Sequence, residues 1–181
     1  ETGPISDRVG TNHVGLVGAA TTIPSTAPVG PGVSAAAWVT ASGAYDFGAT
    51  GMTMTFESTG GGYPTGGLWV TRVDDAPDEL PRAAGASGVP HWFVHHMDAS
   101  DPFAALESVT FHPATVDASA ARLPSNYRLY RRPENADGLT WGSPRQSATD
   151  VLSGAPGSVR FTRGPWATGQ WCLSLDPPGD A

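Results

Sequence analysis

The densest run of potential chemistry in this chain is Trp92-Phe-Val-His-His-Met97, preceded by His91 and followed downstream by His112. Four imidazoles in so short a span have the composition of a metal site. The spacing decides against a site built from this run alone. Trp, Phe and Val favour strands, and Pro90 and the Asp98-Ala-Ser-Asp-Pro segment punctuate the two ends, so a strand is expected over His91–Met97. On a strand, His91 and His95 share a face but stand about 13 Å apart at roughly 3.3 Å per residue. A zinc ion needs its ligands about 2 Å away. A helix would place the same two rings one turn apart. His13 or His112 would have to come from another strand to complete a cluster.

Other residue groups carry weaker chemical signals. Asp74, Asp75, Asp78 and Glu79 form an acidic loop around Pro77. Calcium takes about six to eight oxygen ligands from carboxylates, carbonyls and water, so this loop is the candidate calcium site; a solvated turn is the plainer reading. Arg128, Tyr130 and Arg132 fall on one face of a strand over Tyr127–Arg132, with Tyr127, Leu129 and Arg131 on the other. Two guanidiniums beside a phenol suit a carboxylate or a sugar ring, and they equally suit an exposed sheet face with cross-strand ion pairs. Six tryptophans are many for 181 residues. Trp38, Trp92 and Trp171 lie in strand-like contexts and are expected to fill the core. Trp69 is ambiguous. Trp141 and Trp166 sit in loop-like sequence, where they would either bind a ligand or cap the ends of the domain.

Catalytic signatures are sparse. No Gly-x-Ser-x-Gly nucleophile elbow occurs, and the Gly60 cluster does not lead into a helix as a phosphate loop would. Glycoside hydrolysis needs two carboxyls roughly 5–10 Å apart. Asp46 and Glu57, on neighbouring candidate strands, are the nearest approach to such a pair.

These residues must be positioned by short extended elements. The chain has 23 Gly and 17 Pro, and only 15% of it is charged. No window of helical length shows an apolar stripe free of Gly and Pro. Arg82–Ala86 and Ala114–Leu123 are the best short helical candidates. Strands are expected at His13–Ala19, Ser34–Thr40, Gly43–Gly48, Gly51–Glu57, Leu68–Val73, His91–Met97, Glu107–His112, Tyr127–Arg132, Ser158–Thr162 and Gln170–Leu175. In Gly51–Glu57, Met52, Met54 and Phe56 alternate with Thr53, Thr55 and Glu57, the pattern of a strand with one wet face. The expectation is an all-β fold: a two-sheet antiparallel β-sandwich, jelly-roll or immunoglobulin-like, of about nine or ten strands. A single domain over residues 4–181 is expected, with an irregular Pro/Gly-rich segment at 4–33. Glu1–Gly3 is set aside as a remnant of processing.

The net charge is −7 and all ten basic residues are arginine. That balance disfavours nucleic acid, whose phosphates call for clustered cations, and docking on anionic lipid. No apolar run approaches the roughly 20 residues of a membrane span. Cys172 is the only cysteine, so no intramolecular disulfide and no cysteine-based zinc site can form, and it reads as a small buried hydrophobe.

The order of motifs is itself informative. Tyr45-Asp-Phe-Gly-Ala-Thr-Gly leads into the alternating strand ending at Phe56. Val70-Thr-Arg-Val, a Pro-rich excursion, the Trp92 strand and Tyr127-Arg-Leu-Tyr-Arg-Arg follow, and Trp141, Val159-Arg-Phe and Gly169-Gln-Trp close the series. Over residues 43–175 this resembles the noncatalytic β-sandwich accessory domains of large secreted or surface-anchored bacterial proteins. The resemblance implies an extracellular or cell-surface setting, no catalytic residues, and a role in spacing, adhesion or contact with a protein partner. A carbohydrate-binding module using the loop tryptophans or the Arg128/Tyr130/Arg132 face is the alternative, with a glycan partner on a cell surface. A glycan-active or metal-dependent enzyme is the second alternative. No cofactor is expected, apart from calcium at the acidic loop.

Overall fold

The computed structural model describes residues 5–6, 13–14, 32–57, 63, 67–77, 90–96, 103–112, 124–133, 141–152, 157–164 and 166–175. Its strands are β1 (Ile5–Ser6), β2 (His13–Val14), β3 (Gly32–Trp38), β4 (Gly43–Asp46), β5 (Met52–Phe56), β6 (Gly67–Val73), β7 (His91–His96), β8 (Leu106–Phe111), β9 (Tyr127–Arg132), β10 (Gly142–Ser147), β11 (Asp150–Leu152), β12 (Ser158–Thr162) and β13 (Gly169–Leu175). The only helical elements among the described residues are the single 3-10 turns Gly48–Thr50 and Pro124–Asn126. Six strands form one sheet in the order β10-β9-β13-β7-β6-β3, five form a second in the order β11-β12-β8-β5-β4, and β1 pairs with β2. Every pairing is antiparallel. This is the expected all-β two-sheet sandwich.

Alternation explains which residues fill the space between the sheets. On β5 the burial pattern follows the sequence, with Met52, Met54 and Phe56 buried and Thr53 and Thr55 half-buried on the other face. Val109 and Phe111 of β8 and Val159 and Phe161 of β12 continue that inner layer. Leu68 and Val70 of β6, Trp92 and Val94 of β7, Leu129 of β9, and Trp171 and Leu173 of β13 oppose them from the six-stranded sheet. Trp92 and Trp171 are buried as their strand contexts imply. The Trp92 ring meets Phe111 edge-on at 4.8 Å between centroids.

One short segment ties the sheets together. Asp46 Oδ1 accepts the Gly48 N–H, the Asx-type start of a tight turn. Gly48 and Gly51 take positive φ values of 53° and 68°, a region open to glycine at little cost. The turn thereby points its carbonyls at the opposite sheet. Thr50 O accepts from Trp92 Nε1 at 2.9 Å, and Ala49 O accepts from Arg72 Nη1 at 2.9 Å.

Trp38 is the exception among the expected core tryptophans: it is 62% exposed. The register with β6 is the reason. Ala37 pairs with Leu68 and Ala35 with Val70, whose side chains face the core, so Trp38, opposite Gly67, must face outward. Val39 takes the buried position that follows it. Three strands also form where none was expected, the two-residue β1 among them. β10 contains Pro144 and lacks apolar alternation; it is an edge strand with a register shift between Gly142 and Gln146, a setting that tolerates proline. β11 is three residues long and forms the edge of the other sheet. The Pro/Gly-rich segment at 4–33 contributes β1, β2 and the start of β3. The helical candidates Arg82–Ala86 and Ala114–Leu123 lie outside the described residues.

Candidate functional site

The outer face of the six-stranded sheet collects most of the candidate residues, and strand register lays them out in rows. One row runs Ser34, Thr71, Phe93, Gln170, Arg132 across β3, β6, β7, β13 and β9. The next runs Ala36, Trp69, His95, and beyond it Trp38 stands opposite Gly67. On the other side of the first row come Val73, His91, Cys172 and Tyr130. Arg128, Tyr130 and Arg132 therefore do share a face, and it is the same face as Trp38 and Trp69. At about 4.8 Å per strand, the β9 and β3 ends of this surface are roughly 19 Å apart.

Access differs sharply between those ends. Arg132 is 2% exposed; its Nε donates to Gln170 Oε1 at 2.9 Å and its guanidinium stacks 4.5 Å from the Trp141 ring centre. A planar cation between an amide and an indole is held as a structural element. Tyr130 is also buried, and Arg128 donates to the Ser147 hydroxyl. Trp141 is half-buried over Arg132. Trp166 is half-buried and stacks on the core residue Trp171, centroids 5.7 Å apart.

At the β3 end the aromatics face water. Trp38 and Trp69 are 62% and 40% exposed, and with Leu152 they are the exposed large hydrophobic residues among those described. They are diagonal neighbours on adjacent strands, within reach of each other for side chains this long. Gly67 makes the pairing possible. A Cβ built on Gly67 would lie 3.0 Å from Trp69 Nε1 and 3.6 Å from Trp38 Cζ2, so the two indoles converge over this glycine. Ala36, the cross-strand partner of Trp69, carries only a methyl group. The segment just after β3 is fixed from below: Val39 is buried, and Tyr45 Oη accepts from the Thr40 and Ala41 N–H groups and donates to Ala41 O. Tyr45 in turn packs edge-on against Phe56.

The histidines are dispersed, as a strand requires. His91 is buried, with Nδ1 hydrogen-bonded to Asp75 O at 3.0 Å, while His95 is exposed beside Trp69 on the same face. His96 turns to the inner side. His112 belongs to the other sheet, where it is hydrogen-bonded to Thr53 Oγ1 at 2.7 Å. No three His, Cys, Asp or Glu side chains gather around one point among the described residues. In the acidic loop, Asp74 is engaged by Arg72, whose Nε lies 2.6 Å from Oδ1, and Asp75 uses its carbonyl for His91. Asp78 and Glu79 lie outside the described residues. Asp46 pairs with Thr53, while Glu57 follows Phe56 at the far end of the same hairpin. That register offsets their backbone positions by four residues, about 13 Å along the strand.

Burial pushes the Cys172 thiol from 9.0 up to about 12, an effect the nearby Arg132 cation opposes. Such a thiol is protonated at neutral pH and is not a nucleophile.

Comparison of the chain with protein-family models, curated proteins and solved structures returned no match, so the functional reading rests on this geometry.

Proposed function

We propose that this β-sandwich is a noncatalytic adhesion module of a secreted or cell-surface protein, and that it holds its partner on the outer face of the six-stranded sheet at Trp38 and Trp69. The observation that carries the reading is the pair of exposed indoles meeting over Gly67. Two large aromatic side chains left in water on adjacent strands cost solubility and add nothing to the core. Their use lies in burial against something else, and tryptophan is the residue type most enriched where binding energy concentrates.

The test is retention of the protein on an immobilised panel of polysaccharides and extracellular proteins, beside the double variant Trp38→Ala/Trp69→Ala. The wild type is expected to be retained by at least one class of partner without cleaving it. The double variant is expected to keep its far-ultraviolet circular dichroism spectrum and to bind at least roughly tenfold more weakly. Undiminished retention by the double variant, or turnover of the bound partner, would contradict the proposal.

A further inference from the structure

Resting on that reading, we infer that the partner chemistry matching the Trp38–Trp69 surface is a neutral saccharide, whose ring faces stack on the two indoles. The surface around the pair is uncharged among the described residues. The outward positions of β3, β6 and β7 nearest the pair that reach solvent are Ser34, Ala36, Thr71, Phe93 and His95, with no carboxylate, guanidinium or ammonium. In a chain of net charge −7, an aromatic patch free of charge complements a neutral ligand and offers no counter-ion to an acidic or a basic one.

The polar groups bordering the patch are of the kind that hydroxylated ligands use. Ser34 Oγ and Thr71 Oγ1 are hydrogen-bonded to each other at 2.8 Å, one register step from the Ala36–Trp69 pair. Each hydroxyl still has capacity to donate or accept. The exposed imidazole of His95 lies directly across from Trp69 on the other side. The shape agrees. Ala36, exposed beside Trp69, leaves the surface low on that side of the pair, so a flat ring can approach there. A protein partner would more commonly require a recess for an inserted side chain. A saccharide presents one apolar C–H face to an aromatic ring and its hydroxyls to the rim.

The experiment is affinity electrophoresis and titration calorimetry with soluble mannan, xylan, β-1,3-glucan and hydroxyethylcellulose as neutral probes. Polygalacturonate and a set of extracellular proteins serve as comparison arms. The wild type is expected to be retarded by at least one neutral polysaccharide. Trp38→Ala and Trp69→Ala should each weaken that binding roughly tenfold, the usual effect of losing one stacked ring. Gly67→Val should weaken it as well, because its side chain occupies the point where the indoles converge and displaces the Trp69 ring. Retardation by polygalacturonate alone, or binding to a protein alone, with the same tryptophan dependence, overturns the saccharide assignment and leaves the adhesion reading intact. Neutral-glycan binding that is indifferent to all three variants, or absence of binding to every probe, overturns both.

Discussion

Replacing Trp92 by alanine removes one of the two largest side chains buried between the sheets. The residue has no solvent exposure, packs edge-on against Phe111, and donates its indole N–H to Thr50 O. An indole burying about 200 Å² at roughly 25 cal/mol per Å² is worth about 5 kcal/mol, an upper estimate because the unfolded chain already hides part of that area. Measured truncations of large aromatic residues cost about 3–5 kcal/mol. The unpaired Thr50 carbonyl adds about 1 kcal/mol. A total near 5 kcal/mol is a third or more of the stability of an ordinary domain, about 5–15 kcal/mol. For a chain of this length, each kcal/mol lowers Tm by about 2–4 °C, so Trp92→Ala should lose about 10–20 °C. Trp92→Phe keeps one aromatic ring but loses the pyrrole ring and its hydrogen bond, and should fall by about 2–3 kcal/mol, less than the alanine variant. Urea unfolding followed by circular dichroism measures both without depending on the fluorophore being removed. A Tm for Trp92→Ala within about 2 °C of wild type, or equal losses in the two variants, would refute the reasoning.

Trp38→Ala and Trp69→Ala should each change unfolding free energy by no more than about 0.5 kcal/mol in the same urea assay, because exposed positions contribute little to folding. Arg132→Ala should cost about 2–4 kcal/mol by removing the partner of Gln170 and Trp141, and Arg132→Lys should recover little of it, since an ammonium cannot reproduce the planar stack. Native protein at pH 8 should resist alkylation by iodoacetamide at Cys172 and react only when unfolded. The buried thiol also sets a pH dependence. Its folded pKa, about 12, exceeds the ordinary 9.0, so its contribution is fully present below pH 9. Above pH 9 the unfolded state ionises first, and stability should fall by about 1.4 kcal/mol per pH unit up to about pH 12. Cys172→Ser or Cys172→Ala should abolish that slope in denaturation measured between pH 8 and 11.

Where side-chain contrast along a strand is strong, the sequence is enough to assign its faces. Met52, Met54 and Phe56 against Thr53, Thr55 and Glu57 leave one solution. The same holds for Trp92 and Val94, and for the placing of His91 and His95 on one face. β3 lacks that contrast. Ser34-Ala-Ala-Ala-Trp38 offers one large residue after four small ones, and alternation alone does not say which face the indole takes. Only the cross-strand register with Leu68 and Val70 decides it, and a register between distant segments is not written in either of them. For this reason the sequence places Trp38 in the core, where the structure exposes it, and leaves Trp69 ambiguous. Gly67, directly opposite Trp38, gave no signal of its own. Arg132 shows the converse. Its charge suggests an exposed position, yet Gln170 and Trp141 enclose it, and neither partner is its neighbour in sequence. β10 was hidden by Pro144 and by the absence of an apolar period, since its identity comes from pairing with β9.

The central claim divides the tryptophans by the direction they face: Trp92 and Trp171 hold the sheets together, while Trp38 and Trp69 meet a ligand. A proton–nitrogen correlation spectrum of the six indole N–H groups, recorded during titration with a neutral oligosaccharide, tests it most directly. The signals of Trp38 and Trp69 should move saturably and together, with Trp92 and Trp171 unchanged. Movement confined to Trp141 or Trp166, or no movement at Trp38 and Trp69 under saturating ligand, would contradict the account.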